Sequence, residues 1–138
     1  MDVRVLHGDS MHAWVHHLDA VERADSTAAV NRWLLSSRRP RYHVAVALVR
    51  DRVVGFAAAD AHDGNIHLHQ VCIADLDRAL DPWLASRLVD EVIAACDTAW
   101  GDLLVRPDAD VLAHLESRGW AVESASAESL RLSGARAA

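Results

Sequence analysis

Lysine is absent from this 138-residue chain, so every one of the fourteen basic residues in its Lys and Arg count is arginine. That removes the most common amine base and Schiff-base former. Together with heavy alanine use, it is the pattern that the codon bias of a GC-rich bacterium, such as an actinobacterium, produces. Cysteine occurs only at Cys72 and Cys96, each inside an apolar pattern, which excludes a disulfide framework and fits buried thiols in a reducing cytoplasm. No apolar run approaches the ~18 residues of a membrane span, and Met1-Asp2-Val3-Arg4 lacks the layout of a signal peptide. A cytoplasmic protein with no membrane partner is therefore expected. The net charge is −6 with no dominant basic patch, which speaks against a nucleic-acid partner. There is no repeat, no low-complexity segment and no linker, so residues 1–138 are expected to form one domain with one core.

What is present is a clear succession of elements. Val3-Arg4-Val5-Leu6 alternates as a short strand. Ser10 can cap a helix in which Met11, Trp14, Val15, Leu18 and Val21 recur at helical spacing. Asp25 or Ser26 restarts a second helix, with Val30, Trp33 and Leu34 on its inner face, ending before Pro40. A β-branched run from His43 to Val49 turns at Arg50-Asp51-Arg52 into Val53–Ala61, and His62-Asp63-Gly64-Asn65 leads to a third strand, Ile66–Ala74. A long helix follows, roughly Pro82 to Ala99, with Leu84, Leu88, Val92 and Cys96 on one stripe. Leu103-Leu104-Val105 has the all-apolar character of a buried parallel strand. Asp108 caps a last helix carrying Val111, Leu112 and Leu115, and Gly119 fits the left-handed position that ends it. Trp120-Ala121-Val122 and Leu130-Arg131-Leu132 close the order as strands.

This order resembles the GNAT acetyltransferase superfamily across nearly the whole chain. The pieces that carry the likeness are Leu84-Ala85-Ser86-Arg87-Leu88-Val89, then Leu103-Leu104-Val105, then a helix ending in Gly119-Trp120. The resemblance implies an α+β fold: a mixed, mostly antiparallel central sheet with a splayed strand pair, flanked by about four helices. It also implies acetyl-CoA or another acyl-CoA as donor and a small-molecule amine as acceptor, and it is compatible with a homodimer. The donor would lie between the splayed strands Ile66–Ala74 and Leu103–Val105, its thioester near the backbone of Val71, Cys72 and Ile73. The family's pyrophosphate loop, Arg/Gln-x-x-Gly-x-Gly/Ala, falls on Leu80, Trp83 and Ala85, of which only Ala85 matches. Leu84 lies within that loop and Arg78 just before it, and Asp108 stands where the family often opens its fourth helix with asparagine. The family's general-acid tyrosine position holds Leu115, with His114 one residue before it and turned about 100° away. The chain's only tyrosine, Tyr42, lies elsewhere. A chain without lysine also offers no side-chain amine on which it could itself be acylated.

The loop departs from the family pattern in a chemically definite way. Arg78-Ala79-Leu80-Asp81-Pro82-Trp83-Leu84-Ala85 contains no glycine. Unpaired N–H groups at a helix start bind phosphate, yet Asp81 is a cap residue that would take those N–H groups itself, and Pro82 donates nothing. Trp83 brings an indole where the backbone must approach a diphosphate closely. Arg78 or Arg87 could still hold phosphates, and so could the cluster Arg38-Arg39-Pro40-Arg41, which otherwise is a solvated loop.

Nine histidines invite a chemical reading. His12 and His16 share a helix face, with His7 and His17 nearby; without the zinc-hydrolase pattern they are expected to be solvated. His67 and His69 stand two apart on a strand and point to one face. An imidazole, with its ordinary pKa of about 6.5, suits deprotonation of an acceptor amine, and Asp60 on the neighbouring strand could orient it. The alternatives are a metal site completed by His62, Asp60 or Asp63, and a plain pair on a half-exposed sheet face. The expected face is the open cleft, with Ile66, Leu68 and Cys72 as the apolar alternate set. Two functional classes stay open: an acyl-CoA-dependent N-acyltransferase using His69, His67 and Asp60, and a non-catalytic ligand- or partner-binding domain that kept the fold and lost CoA binding.

Overall fold

The computed structural model describes residues 2–7, 13–25, 42–62, 64–96, 102–105, 109–127 and 129–134. Seven strands form one sheet: β1 (Asp2–His7), β2 (Tyr42–Val49), β3 (Arg52–His62), β4 (Asn65–Ile73), β5 (Leu103–Val105), β6 (Ala121–Ala125) and β7 (Leu130–Ser133). Their spatial order is β1-β2-β3-β4-β5-β7-β6. Every pairing is antiparallel except β4 with β5. Among the described residues the helices are α1 (Val15–Ala24), α2 (Asp75–Leu80), α3 (Leu84–Ala95) and α4 (Ala109–Ser117). None is long and apolar enough to cross a membrane. This is the mixed α+β sheet with one splayed pair that the sequence led us to expect.

Local chemistry explains most of the boundaries. The β2–β3 hairpin closes over Arg50 and Asp51, with φ of 51° and 62°, the pair of left-handed residues a two-residue hairpin turn of type I′ requires. At the end of α4, Trp120 N–H donates to the Leu115 carbonyl (3.1 Å) and Gly119 N–H to that of Glu116 (3.0 Å). With Gly119 at φ 95°, this is the paired-bond helix ending that favours glycine. The periodic stripe of α3 is buried as its spacing predicts: Leu84, Leu88, Val89 and Val92 are all at or below 1% exposure.

Two cores flank the sheet. On one face Ala57, Ala59, Ile66, Leu68 and Ile73 pack with α3 and with Val111 and Leu115 of α4. On the other, Val44, Val46, Phe56, Ala58 and Cys72 pack with Leu18 and Val21 of α1. Gly55 sits where β4 and α3 both crowd β3, since a Cβ there would lie 3.1 Å from Ile73 Cγ1, 3.2 Å from the Cys72 carbonyl oxygen and 3.4 Å from Leu88 Cδ1.

Three expectations need correction. The segment after β4 forms a short helix, α2, which the sequence reading passed over because none of its residues is buried and no apolar period marks it. The following helix starts at Leu84, two residues after Pro82. Cys72 does not share a face with Ile66 and Leu68. Ala59 pairs with Leu68 but Ala58 pairs with Gln70, so His69 is an extra residue in a β-bulge, and the strand's alternation shifts by one beyond it. Segment 26–41, with the expected second helix and the arginine cluster, lies outside the described residues. So do His12, Asp63, Trp100 and Asp108.

Candidate active site

The bulge brings three candidate side chains together. Asp60 of β3 pairs with His67 of β4, and His69, the bulged residue, places Nε2 2.6 Å from Asp60 Oδ1. The rings of His67 and His69 lie nearly parallel, with centroids 6.0 Å apart. Both are half-buried, and Asp60 is almost wholly so. A carboxylate can only accept, so His69 donates to Asp60 through Nε2–H, and in the neutral ring the basic nitrogen is then Nδ1. All three occupy the α1 face of the sheet, opposite Ile66 and Leu68. His16 and His17 of α1 are exposed. Among the described residues no three His, Cys, Asp or Glu side chains converge as metal ligands.

His69 also marks the place where the sheet opens. Parallel pairing of β4 with β5 covers only Ile66, His67 and Leu68. The closed end is pinned by Ile66 N–H to the Asp102 carbonyl (2.9 Å), by Asp102 N–H to Asn65 Oδ1 (3.1 Å) and by Arg131 to the Asp102 carboxylate (2.8 Å). Beyond Leu68, β4 runs on without β5. A cleft of about 480 Å³ lies there between β4, the start of α3 and α4, lined by Val71, Ile73, Ala85, Val89, Val111 and His114 among others. The expectation that the histidine pair faces the open cleft is corrected here: the pair is not part of this lining but stands on the other face of β4, at the fork of the strands, because Ile66 and Leu68 take the face toward α3.

Strand alternation decides which backbone donors reach the cleft. Ile73 N–H points away from β3, but it donates to Asp25 Oδ2 at 2.9 Å. Cys72 N–H, one residue back, turns toward β3, and Val71 N–H falls on the same open edge as that of Ile73. Asp25, expected as a helix start, instead has its side chain fully buried and also holds Arg78, Nη2 to Oδ2 at 2.7 Å. Of the residues expected near a thioester, Val71 keeps an available N–H, Ile73 has lost its own, and the Cys72 side chain belongs to the opposite core. Burial pushes the Cys72 and Cys96 thiols up to about 12, Cys72 further by the nearby Asp25 and Glu22 carboxylates. Neither is a nucleophile at neutral pH.

At the cleft mouth the glycine-free loop folds on itself. Asp81 Oδ1 accepts from Trp83 N–H (3.1 Å), its carbonyl accepts from Leu84 N–H (3.2 Å), and Arg87 Nη1 lies 3.6 Å from its Oδ2. The expected use of Asp81 on the Trp83 amide is thus present, although Trp83, not Asp81, immediately precedes the helix. Trp83 is 72% exposed at the rim, and Leu84 is wholly buried in the core. Arg78 and Ala85 line the cleft, as does Trp83.

On α4, Leu115 is buried and His114 faces the cleft. His114 Nε2 lies 2.8 Å from Asp90 Oδ1, and Arg118 donates to Asp90 Oδ2 at 2.9 Å. Leu115 recurs with Val111 at i, i+4, which is the signal that it belongs to the packed stripe and that its neighbour turns outward.

The fork of β4 and β5, with helices on both faces, is the fold of the GNAT N-acetyltransferases. The chain is similar over its length to solved members of that class. With the PaiA N-acetyltransferase of Thermoplasma acidophilum, in complex with coenzyme A, identity is 11%, TM-score 0.66, and 97% of this chain and 99% of that one are covered. With diaminobutyrate acetyltransferase EctA of Paenibacillus lautus, bound to its substrate L-2,4-diaminobutyric acid and coenzyme A, the values are 13%, 0.66, 96% and 95%. With aminoglycoside 6'-N-acetyltransferase of Enterococcus faecium they are 11%, 0.68, 96% and 95%. No family model and no curated protein matches the sequence.

Proposed function

We propose that the chain is an N-acyltransferase that moves an acyl group from a thioester donor of the acyl-CoA type to a small-molecule amine. The observation that carries this reading is His69, held by Asp60 at the bulge where β4 leaves β5 on the GNAT fold, across β4 from the cleft. Asp60 fixes the His69 ring, and Nδ1 of the neutral ring is the acceptor of the amine's proton in this reading. Val71 N–H faces the cleft as the donor that stabilises the oxygen charge developing on the carbonyl. His67, stacked on His69, shapes the approach of the amine. The donor's thioester arm would lie along Val71, Ile73, Ala85, Val89 and Val111, an apolar lining of the size usual for small-ligand sites. Solved neighbours of the same fold hold coenzyme A, and one holds a small diamine substrate.

The test is a donor–acceptor assay with acetyl-CoA and a panel of small amines, following release of free thiol. Wild-type turnover that falls at least 100-fold in His69→Ala and about 10-fold in Asp60→Asn supports the roles given. Turnover unaffected by His69→Ala would remove the base from this reading. A second reading has its own observation: Asp25 occupies Ile73 N–H and Asp81 occupies Trp83 N–H, as in a domain that binds a different ligand and catalyses nothing. It is favoured if neither CoA nor acetyl-CoA raises the melting temperature, since a ligand that binds only the native state must do so.

A further inference from the structure

At the cleft mouth the leading amides of the loop and both nearby arginines are already engaged. Trp83 N–H and Leu84 N–H both end on Asp81, and the Arg87 guanidinium lies beside the same carboxylate. Arg78, on the cleft wall, is drawn inward to the buried Asp25. Asp81 lines the cleft itself, and so does a further carboxylate, Asp110. A diphosphate arriving here would meet carboxylates, and arginines that already stand beside carboxylates of their own. The rim also carries exposed apolar side chains: Leu76, Leu80 and Trp83 are 67%, 74% and 72% exposed where α2 passes into α3. The interior is different. Val71, Ile73, Val89 and Val111 suit a branched, neutral chain, while Val71 N–H and Ser86 offer hydrogen bonds for amides.

We propose that the cleft recognises the acyl-pantetheine arm of its donor and gives no recognition to a nucleotide diphosphate. A thioester on bare pantetheine, or on the phosphopantetheine of a carrier protein, then serves at least as well as acyl-CoA. The proposal rests on the acyl-transfer reading and narrows its donor. In the transfer the carbonyl carbon exchanges its bond to sulfur for one to the amine nitrogen. The amine's proton passes to His69, and the thiolate leaves to take a proton from water. Asp81 and Trp83 act as the specificity-determining residues, excluding the diphosphate and leaving the arm untouched.

The experiment compares kcat/KM for acetyl-CoA, acetyl-pantetheine and an acetyl-phosphopantetheine carrier protein with one amine acceptor. It also compares thermal shifts from CoA and pantetheine. Acetyl-pantetheine should fall within about threefold of acetyl-CoA, and Asp81→Asn should raise the preference for acetyl-CoA over acetyl-pantetheine tenfold or more. A carrier-borne donor at least tenfold better than the free one assigns the source to a carrier protein; parity assigns it to free thioesters. A 100-fold preference for acetyl-CoA that Trp83→Ala abolishes would mean the indole holds the nucleotide, overturning the proposal while acyl transfer stands. If no donor reacts but pantetheine stabilises the fold as much as CoA does, the recognition proposal survives and acyl transfer falls. If neither ligand shifts the melting temperature and no donor reacts, both fall.

Discussion

Replacing Asp25 with alanine isolates the contact that joins the end of α1 to the cleft wall. The carboxylate is fully buried, accepts Ile73 N–H at 2.9 Å and pairs with Arg78 at 2.7 Å. Its removal leaves the Ile73 amide, in a residue 1% exposed, without its acceptor, which costs about 1–3 kcal/mol. Breaking a wholly buried ion pair costs about 3–5 kcal/mol, but the Arg78 side chain is 40% exposed and regains water, so its share is smaller. The Arg78 Nε is already buried without a partner, which limits how well that side can recover. We expect Asp25→Ala to lose about 2–4 kcal/mol, a large part of the ~5–15 kcal/mol of an ordinary domain. In urea denaturation the midpoint should fall by about 1–2 M at unchanged m. Arg78→Met in the same background should restore part of the loss, because no cation is then left unpaired, and the coupling of the two changes should exceed about 0.5 kcal/mol. A loss under about 0.5 kcal/mol, or strict additivity of the two variants, would refute the argument that Asp25 binds both groups.

Other outcomes follow from the same geometry. Converting Arg50-Asp51 to Asn-Gly should stabilise the protein by about 1 kcal/mol, since both residues hold positive φ at a turn that favours this pair; a lower urea midpoint would contradict the turn assignment. Gly119→Ala should cost about 1–2 kcal/mol through its left-handed φ of 95°, measured as a fall in Tm, and an unchanged Tm would show that α4 does not end as described. Both thiols should resist a thiol reagent at pH 8 until the chain unfolds, because burial holds each near 12. In the folded state they keep their protons where the unfolded thiols, at about 9.0, lose theirs. Their contribution to stability is therefore complete below about pH 9.0, declines up to about 12 and is gone above it. A Cys72→Ala/Cys96→Ala variant whose stability falls over that range as steeply as wild type would show that other groups govern it.

Much of this protein is written in short-range pattern. The strand order, the hairpin at Arg50-Asp51, the buried stripe of α3 and the Gly119 ending each depend on residues within a few positions of one another, where periodicity and φ preference act directly. The pairing of Asp60 with His69 and the capture of Trp83 N–H by Asp81 were legible for the same reason: one spans a hairpin, the other two residues. The tertiary structure alone decided the rest. A bulge at His69 depends on how β4 seats against β3, and it moved Cys72 to the other core. Asp25 meets Ile73 and Arg78 across 48 and 53 residues, a separation no local signal spans, and so the loss of the Ile73 amide and the isolation of Val71 could not be read in advance. His114 faces the cleft because Leu115 is drawn into the core, and the short α2 forms without burying a residue. Local chemistry chose the elements; the packing of distant elements chose which of their polar groups remained available to a ligand.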